Sequence, residues 1–415
     1  MRFCGCRCLR SYCARCWFRC PINLEPRLLN LVRSLWKKDA RDENPSFRFD
    51  RPMVVLQSDD WGRVGVRDAE GSRALLSSGI SLGEHAYDSY TLETAEDLSA
   101  LRHLLNRHRD STGRCTSIVM NFVMANLDFS RMATEDFRRI QLLPLREGLP
   151  GRWQRPGLVE AYRGGMAEGV FYPALHGLTH FCESAVENAL RADRDRADLL
   201  RRLWSADTPY IYWRMPWVGY EYNNPEWPAR GFLGAADQAR LVAKAAAEFE
   251  AFFGFRAESA CAPGYRANRD THWAWASSGV KVAQNGSGVP RAPHLDDFGL
   301  LHLYRTFDFE PSQGEVSLDT YMKLAIECFG RGVPIVISTH SLNFHSSLRD
   351  FRGPTLKGLD ELLSALERKF PDLLYLHDGD LYEIVMRGEY RAEGVMVPVR
   401  VIRLEPRRLA VRGRA

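Results

Sequence analysis

Eight short apolar runs punctuate the chain between residues 53 and 377, and helical spacing fills most of the gaps between them. The runs are 53–58, 117–124, 170–175, 259–262, 281–284, 300–307, 334–339 and 373–377. Most are bounded by Gly, Pro or polar residues, as strands buried on both faces are. Apolar residues recur at helical spacing over 95–107, 134–143, 159–167, 182–203, 235–253, 270–277, 318–329 and 357–369. Phe253-Gly254-Phe255 puts glycine where a helix ends. Alternation of this kind buries its strands in a parallel sheet clad by helices, and the count suits a closed α/β barrel. The spacing stretches between His180 and Cys261, which predicts a helical, aromatic-rich insertion over about 181–258 above the barrel mouth.

Charge and cysteine are concentrated at the ends. The net charge is only +4. Arg and Lys crowd the first 38 residues and the segment 400–414, leaving the body (49–390) near neutral. That distribution argues against a nucleic-acid groove. It leaves solvated tails, or peripheral contact with an anionic membrane, as readings of the ends. Six of the ten cysteines (Cys4, Cys6, Cys8, Cys13, Cys16, Cys20) lie in a leader and linker expected over 1–48. Cys13-Ala-Arg-Cys16 has a zinc or redox spacing without the second pair a zinc knuckle adds, so a disordered leader is the simpler reading. Residues 391–415 read as a basic tail. No run reaches the roughly 18 apolar residues of a membrane span. No unbroken apolar stretch follows the basic start as in a secretory signal, so a cytoplasmic location is the expectation.

The chemistry sits at the carboxyl ends of the runs, where α/β barrels build their active sites. The first ends in Ser58-Asp59-Asp60-Trp61, the third in His176-Gly-Leu-Thr-His180, and the seventh in Ser338-Thr339-His340. Adjacent acids at a strand end diverge, so one can bind a cation while the other faces substrate. Gly177 stands where a zincin helix has its Glu, and Pro173 lies just upstream, which places both histidines on a strand-to-loop turn. Two imidazoles and one carboxylate leave coordination positions open, as a catalytic metal requires. His340 suits a general acid. Each motif alone is also acceptable turn or loop chemistry.

Asp59, Asp60, His176, His180 and His340, in this order, resemble the polysaccharide deacetylase superfamily (carbohydrate esterase family 4, the NodB-homology domain) over roughly 50–385. The resemblance implies a distorted (β/α)7 barrel. It implies Asp59 as catalytic base, Asp60, His176 and His180 as metal ligands, and His340 as catalytic acid. The cofactor implied is a divalent metal, Zn2+ first, with Co, Mn, Ni or Fe compatible with the same ligands. The substrate implied is an acetylated sugar or glycan losing an N-acetyl group. A non-sugar amide or O-acetyl ester, or a non-catalytic glycan-binding barrel, are the alternatives. The oligomeric state is left open.

Two departures stand out. Ala260-Cys261-Ala262-Pro263-Gly264-Tyr265-Arg266 carries the family's Pro and aromatic residue, but Cys261 replaces its Arg. Pro263 and Tyr265 are expected at the substrate, with the Tyr265 N–H as an oxyanion donor, and Arg266 is expected to reach back to Asp59. The family's Asp that tunes the acid His has no clear counterpart near Gln284-Asn285-Gly286-Ser287, and Asp296 and Asp297 lie further on. In the insertion, Trp213 and Trp217 are candidates for sugar stacking, although such rings also anchor insertions.

Overall fold

The structure, a computed structural model, describes residues 44–405 apart from 228–230, 287–288 and 315–316. The cysteine cluster and a short helix expected near 28–36 lie outside the described residues, as do 406–415.

Seven parallel strands form a ring. They are β1 (Met53–Trp61), β2 (Ile118–Phe122), β3 (Phe171–Leu175), β4 (Ser259–Cys261), β5 (Val282–Asn285), β6 (Leu301–Tyr304 continuing into Phe307–Asp308) and β7 (Ile335–His340). Neighbours pair in sequence order from β1 to β6. Strand β6 closes the ring. Its first half pairs with β5, and its second half pairs with β7, which in turn pairs with β1. The backbone N–H groups of Arg305 and Thr306 mark the crossover, donating to Asn285 O and Val336 O. The eighth apolar run forms Leu374–Leu376, which pairs with the amino end of β1, below the point where β2 takes over.

Side-chain alternation sorts each strand into two apolar layers. Met53, Val55, Val119, Val282, Leu301, Leu303 and Val336 pack together inside the ring. Val54, Leu56, Ile118, Met120, Ile335 and Ile337 face outward, into the larger core shared with the helices. Each such buried side chain is worth about 1.5–3 kcal/mol. The inward series continues up each strand into polar residues, so Gln57, Asp59, Asn121, Gln284, Arg305 and Ser338 crown an apolar plug.

Several expectations are revised. The helix expected over 134–143 instead spans Phe129–Thr134, capped by Asp128, and it stops before left-handed residues at Asp136 and Phe137. The long helix expected over 182–203 is two, Glu183–Ala192 and Arg194–Ser205, divided at Asp193, whose carboxylate caps the second. The helices Ala69–Ser77 and Asp378–Arg387 were not foreseen. Helix Ala235–Phe253 packs on β3 and on helix Arg269–Ser277, as a barrel helix does, so the insertion proper ends near Leu233. Among the described residues, strands also form near both ends. Ser46–Phe49 pairs antiparallel with Val401–Leu404, and Glu389–Ala392 pairs with Val395–Pro398.

Candidate active site

A bulge between Ser58 and Trp61 ends the regular pairing of β1 with β2, and Asp60 takes φ 74° there. A non-glycine residue in that region costs roughly 1–3 kcal/mol. The backbone is held by the Asp60 carbonyl, which accepts from the Tyr90 hydroxyl at 2.7 Å. The turn sends the two carboxylates to different partners. Asp59 faces Arg305 and His340, while Asp60 faces His176 and His180.

Asp60 Oδ1 is buried without a hydrogen-bond partner. His180 Nε2 lies 3.2 Å from it and His176 Nε2 3.7 Å. His176 Nδ1 meets the Cys261 carbonyl at 2.9 Å, which fixes the tautomer that leaves Nε2 free. His180 Nδ1 faces the Tyr210 hydroxyl at 3.1 Å. Burial lowers the pKa of both histidines, so both rings are neutral near pH 7 and suited to a metal. Burial would raise the Asp60 carboxyl, but Arg63, 3.0 Å from Oδ2, and the histidines bring it down to about 2. An orphaned carboxylate oxygen and two converging imidazole nitrogens fit a divalent cation, for which tetrahedral ligand atoms stand about 3.4 Å apart. Asp59, His176 and Cys261 also lie close enough to share an ion. That set fits less well. Arg305 already neutralises Asp59, and burial pushes the Cys261 thiol well up, keeping it protonated. The loop between the two histidines is held from the insertion, where Glu221 Oε1 accepts from Leu178 N at 2.7 Å and Thr179 N at 3.3 Å.

Arg305, 1% exposed, is the residue the sequence reading missed. Its guanidinium grips Asp59 bidentately, Nη2 to Oδ1 at 2.6 Å and Nη1 to Oδ2 at 2.7 Å. It also donates to Gln57, Gln284, Ser338 and the Tyr265 hydroxyl. Burial would raise the Asp59 carboxyl, but Arg305 holds it well below the ordinary carboxylate range. Cys261 lies against this group, its Sγ 3.7 Å from Arg305 Nη2. Asn121 Nδ2 donates to Asp59 Oδ1 at 2.8 Å, whereas the second donor to Oδ2 is only the weak Cys261 thiol at 3.9 Å, so Oδ2 keeps the greater accepting capacity. Arg266, expected to orient Asp59, is exposed and makes neither a hydrogen bond nor an ion pair with it; the positive φ of Gly264 and Tyr265 turns the chain before it.

His340 completes the group. Its Nε2 is 3.9 Å from Asp59 Oδ2, and its Nδ1 is 2.6 Å from Glu310 Oε1. Burial alone would lower the pKa of this ring, but Glu310 pushes it up to about 9. Glu310 is itself fixed by Asn343 Nδ2 at 2.5 Å. It occupies the tuning role for which the sequence offered only Asp296 and Asp297. Asp296 instead pairs with His302, and Asp297 with Arg269.

The remaining candidates divide. The Tyr265 N–H donates to Ala262 O at 2.8 Å, closing the Pro263 turn, so it is already satisfied. The Tyr265 hydroxyl, not its amide, reaches the Asp59 cluster. Trp213 stacks on His85 at 5.4 Å and donates to Asp88, beside Tyr87, whose ring meets His340 edge-on at 6.2 Å. Trp217 carries Arg196 over its ring at 4.8 Å and packs within the insertion. Tyr212 and Tyr220 stand edge-on to His180 at 6.3 and 5.6 Å and wall the side of the site that holds Asp60 and the two histidines.

No protein-family model matches the chain, and no curated protein does. Among solved structures, a candidate polysaccharide deacetylase from Mycobacterium smegmatis aligns at 11% identity and TM-score 0.43, over 81% of this chain and 91% of that one. A probable polysaccharide deacetylase from Pseudomonas aeruginosa PAO1 aligns at 10% identity and TM-score 0.43, over 81% and 92%. A CE4 family pseudoenzyme from Bacillus anthracis aligns at 10% identity and TM-score 0.35, over 80% and 66%. At these scores the likeness carries no argument about chemistry.

Proposed function

We propose that the chain is a metal-dependent hydrolase that removes an acetyl group from an N-acetylated carbohydrate. The observation that carries this reading is one pocket of opposed protonation states. Asp59 is kept ionised by Arg305 and His340 is kept protonated by Glu310, and both stand beside a metal-fitting triad of Asp60, His176 and His180. A pair of groups pushed to opposite states is the signature of a base and an acid working together.

A divalent metal held by the triad would activate water and polarise the acetyl carbonyl. Asp59 Oδ2 takes a proton from the attacking water, using the lone pair that Arg305 leaves open. Arg305, on both oxygens, and Asn121, on Oδ1, keep the carboxylate in place. The Nε2–H of His340 is delivered to the leaving nitrogen as the carbon–nitrogen bond breaks, giving acetate and a free amine. His340 Nε2, 3.9 Å from Asp59 Oδ2, faces the same side of the site as the base. Sugar as substrate is supported by the motif resemblance and by Trp213, the one of the two proposed stacking rings set beside the His340 side of the site.

The test compares metal content and acetate release on a panel of N-acetylated sugars. Asp59→Asn should keep the metal and lose turnover by about 10²–10⁴-fold, the usual worth of a general base. His176→Ala should lose both. Near-normal turnover by Asp59→Asn would overturn the assignment of the base, and a metal-free wild type after reconstitution would overturn the mechanism.

A further inference from the structure

We infer that the protein has a second divalent-metal site on the outer wall of the barrel, ligated by His272, Asp296 and His302. Among the described residues, this is the one three-residue ligand group with no member in the active site.

Strand alternation puts it outside. Leu301 and Leu303 of β6 point into the ring, as does Arg305, so His302 points outward. It meets helix Arg269–Ser277, which carries His272, and the turn after His294–Leu295, which carries Asp296. The ligand atoms of all three lie within 4.8 Å of one another. Asp296 is oriented for the task. Its Oδ1 accepts from Phe298 N at 2.8 Å and Leu300 N at 3.0 Å, which fixes the turn and leaves Oδ2 for His302 Nε2 at 3.0 Å.

A second, independent feature points the same way. His272 Nε2 is buried and has no hydrogen-bond partner, although its ring stands 4.8 Å from that of His302. A buried imidazole nitrogen left unmatched beside a carboxylate–imidazole pair is costly unless something fills the space between them. A cation replacing the His302 Nε2 proton would satisfy His272 and Asp296, and would move the His302 proton to Nδ1, where the Asn285 side chain, now 3.2 Å away through Nδ2, would turn its oxygen to accept it. Zinc bonds of about 2.0–2.2 Å require the ligand atoms to draw in by roughly an ångström, within the reach of side-chain torsions. His294 stacks on His302 at 4.6 Å and 15°, steadying that ring. Two imidazoles and one carboxylate favour Zn2+ or Co2+ over Mg2+ or Ca2+. Such an ion would tie a helix, a turn and the closing strand together.

The experiment uses the full chain, stripped with chelator and equilibrated with Zn2+ alone, then with Co2+ alone. Bound metal is counted by plasma mass spectrometry, and cobalt coordination is read from its visible absorption. Wild type should hold two equivalents. His272→Ala should hold one, and Asp296→Asn, which keeps the Oδ1 contacts, should bind the second ion at least tenfold more weakly. His176→Ala should also hold one, and the pair His176→Ala/His272→Ala none. Loss of metal with His272→Ala but not with His176→Ala would uphold this site and count against the active-site triad. Equal stoichiometry and affinity in wild type, His272→Ala and Asp296→Asn would overturn the proposal. So would cobalt absorption unaltered by either substitution. Thermal melting confirms that the variants are folded.

Discussion

Glu310→Gln isolates the acid. In the wild type His340 has a pKa of about 9, with Glu310 the largest influence raising it against burial. A histidine whose folded pKa is raised keeps its proton below that value and loses it as pH climbs through it. At pH 7 about 99% of the rings would carry the proton. Glutamine keeps an oxygen for His340 Nδ1 but removes the charge. If the ring then returned to its ordinary 6.5, the change would be worth about 3 kcal/mol, and about a quarter of the rings would be protonated at pH 7. From population alone, kcat/KM should fall about fourfold at pH 7 and by well over tenfold near pH 8.5, with the alkaline limb moving from about 9 toward 6.5. The assay is acetate release against pH, paired with NMR titration of the His340 ring protons, which needs no substrate. An alkaline limb and a ring titration unmoved by the substitution would refute the argument that Glu310 sets the acid.

Arg305→Met should lower stability by about 3–5 kcal/mol, because it leaves Asp59 buried without its counter-charge, and denaturant unfolding reads this directly. Arg305→Lys should recover only part of it, since an ammonium lacks the fork that meets both carboxylate oxygens. Gly177→Ala should weaken metal binding by about 10–100-fold in equilibrium dialysis. Gly177 has φ +87°, and an added Cβ would fall 2.0 Å from Glu221 Oε2, disturbing the loop between the two histidine ligands. His108, between Glu367 and Asp360, has its pKa raised by them against burial. The stability it contributes is fully present below the ordinary imidazole value and is lost as pH rises through the raised one. His108→Gln should therefore lower the melting temperature at about pH 5 and change it little at about pH 9.

The strands were legible because a buried parallel strand leaves an unbroken apolar run, and all eight runs form strands. The five side chains of the sequence motif meet because each lies at a strand end or just beyond it, where a barrel gathers them regardless of distance along the chain. Arg305 and Glu310 were missed for a different reason. They are not adjacent to any motif, and their roles depend on which strand happens to face Asp59. A signal was present for Arg305, since it follows Leu301 and Leu303 at a spacing of two and so must point inward with them. An arginine on the inner face of a barrel strand needs a carboxylate partner. Nothing comparable marked Glu310, which lies past the strand end. The helix expected over 134–143 failed because apolar spacing there comes from a short helix, two left-handed residues and a strand in succession.

Strand β6 is hydrogen-bonded to β5 at one end and β7 at the other, and the arginine that neutralises Asp59 lies between the two halves. Arg305 and Asp59 are 246 residues apart in sequence. The entropy of closing so long a loop must be overcome before that ion pair can form. Until then Asp59 stands without the cation that offsets its burial and holds its two oxygens in place. The pair therefore reports closure of the ring. A chain with one strand out of register would lose both the pairing of β6 and the counter-charge of a buried carboxylate.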